Sequence, residues 1–230
     1  MPYRLMVRAA SRATGRLGWL RGAVGASLAI AVAALITRIL LGSLPVLPWL
    51  VAPIGASAVL VFALPASPLA QPWPVIGGSL ISIVVGLACA HLIPVPLLAA
   101  AVAVGAAIGA MSLARCLHPP GGACALLGAL PGPALAAQGP LGLVLPLGLN
   151  LIGLLAVAWA YNNLTGHAWP HHAAPPQTPT RWAGSYAVAD LDAVLEEWDE
   201  VLDVSREDLD ALFQAVERRA EQRWREGLRR

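Results

Sequence analysis

The chain has 230 residues, 57% of them hydrophobic and only 12% charged, with a formal net charge of +2. A soluble domain carries about a quarter charged residues, so this composition excludes an ordinary soluble protein and points to the bilayer. The charge is also divided: all 13 acidic residues lie between Asp190 and Glu226, while residues 1–189 hold eight arginines, no lysine and no acid.

Arg4, Arg8, Arg12, Arg16 and Arg21 form a basic flank over residues 1–21, which the positive-inside rule keeps in the cytoplasm. The apolar run Ala23–Leu41 is long enough to span. It is too long for a signal-peptide core and has no cleavage site, so it is expected to stay as the first span. Val75–Ile93, Leu97–Ala114 and Leu141–Tyr161 are three further full-length candidates. Pro53–Leu64 and Pro119–Leu130 are shorter. About twelve helical residues rise only about 18 Å against a hydrocarbon core of about 30 Å, so these two are expected to be broken or re-entrant helices. Residues 163–185, rich in Pro and His, read as a linker. Residues 186–230 carry two amphipathic patterns. Leu191, Val194, Leu195, Trp198, Val201 and Leu202 share one face, and so do Leu209, Leu212, Phe213, Val216 and Ala220. Ser205 suits the N-cap of the second. The fold class expected is all-α: a polytopic bundle of four long and two short helices, with a cytosolic helical pair at the C-terminus.

The short pieces repeat each other. Pro53–Ala70 and Pro119–Ala136 align at a fixed offset of 66, with Pro53, Gly55, Leu60, Ala63, Leu64, Pro65, Leu69 and Ala70 identical to their counterparts. The membrane domain, residues 22–162, therefore divides into units of about 22–93 and 97–162, each long, short, long. Interrupted apolar segments at matching places in two halves point to a transporter's central site. An old duplication that serves only packing is the plain alternative. If the short pieces cross, the two units are inverted and there are six crossings. If they re-enter, the units are parallel and there are four. Both termini are cytoplasmic either way.

The stretch "RCLHPPGGACAL" from Arg115 to Leu126 supplies the chemistry. Pro119 and Pro120 suit a helix start, and the first N–H groups of a helix, on Gly121 and Gly122, have no partner within it. Such an end carries partial positive charge and favours an anion. Pro53 opens the first copy in the same way, with N–H groups on Gly55 and Ala56 and the hydroxyl of Ser57. His118, Arg115 and, within the first span, Arg38 are the candidate polar and cationic partners. The bland roles are snorkelling for the arginines and a satisfied structural histidine for His118. No membrane Asp or Glu is available to hold Na⁺ or relay protons, which leaves His118 as the titrating group near neutral pH. Cys89, Cys116 and Cys124 show no pairing pattern and read as small buried hydrophobes. His167, His171 and His172 read as linker residues. No nucleophile–base pair, phosphate loop or metal constellation is visible. No enzyme, cofactor, metal or nucleic-acid partner is therefore expected. Gly105 and Gly109 form a GxxxG that suits helix or subunit packing, which leaves a homo-oligomer open.

"LHPPGGACAL", together with "GASAVLVFALPASPLAQPWPVIGG" from Gly55 to Gly78, closely resembles the HPP family of integral membrane proteins. The resemblance covers about residues 20–162. It implies a four-helix membrane domain and supports His118, Pro119, Pro120, Gly121, Gly55, Ser57, Gln71, Gly77 and Gly78 as site residues. Plant chloroplast members are linked to nitrite transport. Bacterial members often carry paired CBS domains after a charged helical linker. Residues 186–229 resemble that linker, but no CBS domain follows within these 230 residues. The expectation is a bacterial inner-membrane protein that moves a small inorganic anion, with nitrite the first candidate and carrier or channel left open. The rival is a non-transporting scaffold or sensor acting through the acidic tail.

Overall fold

The computed structural model describes residues 2–42, 50–171, 187–197 and 206–227, and within them there are helices and connections but no strand. The helices are α1 (Pro2–Leu41), α2 (Pro53–Ala63), α3 (Ser79–Leu92), α4 (Pro96–Leu113), α5 (Gly121–Ala129), α6 (Pro133–Ala136), α7 (Leu141–Leu164), α8 (Val188–Glu197) and α9 (Arg206–Gly227). A π-helical turn, Pro74–Gly78, leads directly into α3. Four apolar helical stretches are long enough to cross a membrane: Gly18–Leu41, Pro74–Leu92, Pro96–Leu113 and Leu141–Leu164. These match the four long segments expected from the sequence to within a few residues. The basic flank was expected only as a charged N-terminus. It is helical from Pro2 and runs into the first span without a break.

By contact density the chain forms two compact units, Leu17–His172 and a second made of Met1–Arg16 with Ala173–Arg230. In the second unit, α8 and α9 are joined by an ion pair, Arg206 Nε to Asp192 Oδ1 at 2.6 Å. The expected N-cap Ser205, the apolar positions Trp198, Val201 and Leu202, and most of the linker lie outside the described residues.

Within the membrane unit, side-chain bonds fix the direction of each helix. Asn150 on α7 accepts from the Val51 N–H just before α2 (2.9 Å) and donates to Thr37 Oγ1 on α1 (2.7 Å). At the opposite end, Arg21 on α1 donates to Asn162 Oδ1 on α7 (2.9 Å) and to the Phe62 carbonyl on α2 (2.8 Å). Asn162 Nδ2 donates to the Val61 carbonyl (3.1 Å). Hence α2 and α7 run parallel, and both are antiparallel to α1. Midway, a Cβ on Gly153 would stand 2.7 Å from Ala33 Cα, so α1 and α7 touch backbone to backbone.

The second short helix mirrors this arrangement. Gly121 at the start of α5 lies against Gly78 and Ser82, and Gly128 near its end lies against Ile83 and Leu87. α5 therefore runs parallel to α3. A Cβ on Gly86 would collide with the Ala125 carbonyl, so this contact too is made by backbone. The chain before α3 meets the chain after α7: Trp169 Nε1 donates to the Ala70 carbonyl at 3.1 Å, and the His171 N–H donates to Gln71 Oε1 at 2.8 Å. α3 thus starts at the end of the bundle where α7 finishes, the Arg21 end. The six helices α1, α2, α3, α4, α5 and α7 consequently alternate in direction. α2 runs from Asn150, near the middle of α7, to Asn162 near its end, and so lies along about half of that helix. The units α1–α2–α3 and α4–α5–α7 are inverted relative to each other, and each short helix packs along the last helix of the other unit.

Candidate functional site

The two repeats meet at His118. Its ring is fully buried, Nδ1 lies 2.9 Å from the Leu69 carbonyl and Nε2 lies 2.8 Å from Ser57 Oγ. A carbonyl only accepts, so Nδ1 carries a proton, and in the neutral ring Nε2 accepts from the Ser57 hydroxyl. Ser57 has a second acceptor, the Pro53 carbonyl at 3.3 Å. An imidazolium is therefore also accommodated: Nε2–H would donate to Ser57 Oγ while Ser57 turned to Pro53. Ser57 sits about 6 Å along α2 from Pro53 and about 8 Å from Phe62, at about 1.5 Å per residue. His118 is thus inside the bundle but toward its Arg21 end, level with the start of α3 and the last turn of α4. Gly78 makes this position available, since a Cβ there would stand 2.5 Å from His118 Cβ and 2.7 Å from the Cys116 carbonyl. The π turn that ends at Gly78 is the sort of irregularity that often marks functional places in helices.

The backbone around α5 differs from the expectation of free N–H groups. The Gly121 N–H donates to the His118 carbonyl (2.8 Å) and the Gly122 N–H to the Pro119 carbonyl (3.1 Å). In the first copy, the Ile54 and Gly55 N–H groups donate to Val51 and Ala52 (both 3.1 Å). Consecutive tight turns lead into both helices, and these turns supply the acceptors. Of the remaining expected residues, Pro120 and Gly121 are buried against the site, whereas Pro119 is exposed.

Four residues expected at the site are not brought to it. Gly55 and Ala56 are exposed, and a Cβ on Gly55 would meet nothing within 4 Å. Gly55 lines an open apolar groove of about 470 Å³ between α1 and α2, with Ala26, Ile30 and Ala34. Arg38 follows Thr37 and so lies at the Val51 end of the bundle, exposed. Arg115 is exposed at the opposite end, where Trp73 Nε1 bonds the neighbouring Ala114 carbonyl at 3.1 Å, and its backbone is left-handed with φ of 52°. The two arginines stand apart because the inverted repeat sends them to opposite ends.

Several residues that organise this centre were not singled out from the sequence. Asn150 and Asn162 each tie a short-helix end to α7. Arg21, counted there only as flank, caps the C-terminal carbonyls of α2, where a cation suits the helix dipole. Gln71, which the family resemblance did support, donates from Nε2 to the Pro65 and Ser67 carbonyls (2.9 and 2.8 Å) and pins the α2–α3 connection. Two fully buried asparagines within a 24-residue apolar helix were a legible signal, since polar side chains at that depth seek partners. Cys89, Cys116 and Cys124 are all free and buried, as expected.

Six alternating apolar helices around a buried uncharged polar centre define a multi-pass membrane protein. The transmembrane region of the HPP family matches residues 12–170. The chain belongs to that family. Two curated transmembrane proteins of Dictyostelium discoideum are similar. One is 43% identical over 77 residues, covering 32% of this chain and 25% of the relative. The other is 43% identical over 86 residues, covering 34% and 29%. The matched part is thus under a third of each relative's length. No solved structure matches the chain.

Proposed function

We propose that the membrane unit carries a small inorganic anion across the bilayer, with nitrite the first substrate to test, and that it is not an enzyme. The observation that carries this is the meeting of the two inverted repeats at the buried His118–Ser57 contact. Interrupted helices that meet on a repeat interface are a recurring feature of secondary transporters' sites. The acid-free membrane segments leave nothing to hold a cation, and the α5 N-terminus lends partial positive charge to the same place. His118 offers proton coupling without a carboxylate, because both of its protonation states have hydrogen-bond partners. In this account the protein stands in a bacterial inner membrane with its Arg21 end and both termini on the cytoplasmic side, as the basic flank favours. Gly105 and Gly109 lie open on the outer face of α4 and suit a contact between subunits.

The test is nitrite uptake by proteoliposomes of the purified full-length protein, with protein-free vesicles as control. Saturable uptake and nitrite counterflow support a carrier. Non-saturating flux indicates a channel, and no flux above the control refutes transport of this substrate.

A further inference from the structure

The buried serines of α3 behave unlike the buried hydroxyls of α1 and α2. Thr37 and Ser57 each hydrogen-bond the carbonyl four residues earlier. Ser79 and Ser82 are buried to within 1% of completely; Ser82 Oγ has no hydrogen-bond partner, and Ser79 Oγ has only the Cys124 thiol. They lie one turn apart on the face of α3 that packs against α5, directly after the π turn. Ser79 is beside the Cys124 thiol. Ser82 Oγ points at the first residue of α5, since a Cβ on Gly121 would stand 2.7 Å from it. An orphaned buried hydroxyl costs about 1–3 kcal/mol, so Ser82, beside a Ser79 that has only a weak thiol partner, calls for one.

The chemistry of that partner follows from the surroundings. The α5 N-terminus carries partial positive charge, and the membrane segments hold no carboxylate. The missing group is therefore an acceptor that bears negative charge. The donors are neutral hydroxyls and a helix end worth about half a charge, a set that suits a monovalent ion better than sulfate or phosphate. Space for it is held by Met111, whose Sδ would stand 2.8 Å from a Gly121 Cβ and 3.3 Å from a Gly78 Cβ. An unbranched, flexible thioether can change rotamer and vacate room for a few heavy atoms. The α2 N-terminus has no such vacancy, because Asn150 Oδ1 already takes the Val51 N–H.

We infer that Ser79 and Ser82 are substrate-binding residues, which donate to a small monovalent oxyanion held at the α5 N-terminus once Met111 swings aside. This rests on the anion-transport reading above and adds the donor set and the charge of the ligand to it.

The test uses the full-length protein with Ser82→Ala, Ser79→Ala and the double variant. Nitrite uptake and nitrite-dependent thermal stabilisation are measured against sulfate. The double variant is expected to raise the half-saturating nitrite concentration about tenfold or more and to lose the stabilisation by nitrite. Its melting temperature without ligand should stay level or rise, because an unmet hydroxyl and a weakly bonded one are gone. Discrimination against sulfate should be present in the wild type. An unchanged half-saturation in the double variant, while Gly121→Val abolishes uptake, would overturn the role of the serines and leave the anion site standing. Absence of saturable anion uptake in the wild type would overturn both.

Discussion

His118 offers the most direct separation of strut from ligand. His118→Ala removes the bond to the Leu69 carbonyl and the bond from Ser57, at 2.9 and 2.8 Å, from a fully buried place. Ser57 can fall back on the Pro53 carbonyl at 3.3 Å, but Leu69 is left without a donor. The half-buried Leu69 acceptor brings the cost toward the low end of the about 1–3 kcal/mol for an orphaned group, and the space left by the ring adds to it, for a total of about 2–4 kcal/mol. At about 2–4 °C per kcal/mol for a chain of this size, the melting temperature in detergent should fall by roughly 4–16 °C. His118→Asn can keep a donor near the Nδ1 position and should recover about half of that loss. Ser57→Ala combined with His118→Ala should show a coupling of about 0.5–1.5 kcal/mol, since the two side chains are in contact. If His118→Ala melts with the wild type, or if the two substitutions are additive, His118 does not join the repeats and the geometric basis of the site fails.

Gly86→Val places its side chain into the Ala125 carbonyl. Both sides are backbone and cannot yield, so loss of folded protein on size-exclusion chromatography is expected, whereas Gly105→Val, in open space, should be tolerated. Arg21→Gln gives up most of the clamp on Phe62, Asn162 and Thr165. Val61→Cys, buried at that end, should then react with a soluble maleimide about tenfold faster, for about 1.4 kcal/mol of lost closure, and an equal rate would show that the clamp does not hold the α2 end. In the tail, the Arg206 guanidinium holds the Asp192 carboxyl below its usual range. A depressed carboxylate stabilises above its ordinary value, so the α8–α9 contact should be complete at neutral pH. It should be lost only as pH falls through and beneath that range, and Arg206→Ala should raise the titration midpoint of the Asp192 carboxyl signal in NMR back to the ordinary carboxylate range.

The apolar segments were legible because each is a continuous run bounded by Pro, Gly or Arg, and lipid leaves a chain few alternatives to helix. The short pieces were legible as a repeat through paired prolines. Their opposite directions were not, because the packing of α2 along α7 and of α5 along α3 is tertiary. Backbone-to-backbone packing at Gly86 and Gly128 could not be foreseen either, since a glycine in an apolar run reads equally as lipid-facing. The α1 extension escaped because Arg4, Arg8, Arg12 and Arg16 were weighed as charge. Their spacing of four is also that of one helical face. For the site, His118 and Ser57 were found separately in two copies of a motif, but that they bond each other is a tertiary fact. Ser79 and Ser82 gave no signal, because an orphaned hydroxyl is visible only once its neighbours are placed.

The duplication explains why the site is one-sided. The identities between the copies fall on residues that shape backbone, such as Pro53 with Pro119 and Pro65 with Pro131. At the same offset of 66, every polar member of the centre lacks its twin: Ser57 faces Ala123, His118 faces Ala52, Asn150 faces Val84 and Ser82 faces Gly148. The halves therefore share a path for the chain and differ in what they present to the interior. Asn150 has no counterpart beside α5, so the α5 end is not capped by an amide. Ser82 has no counterpart beside α2, so no orphaned hydroxyl lies there. Even the shared glycine has parted company: Gly55 opens onto the lipid-facing groove, while Gly121 is pressed against Ser82 and Met111. A symmetric backbone with asymmetric side chains favours one binding place over two, and that place is where donors remain unmet.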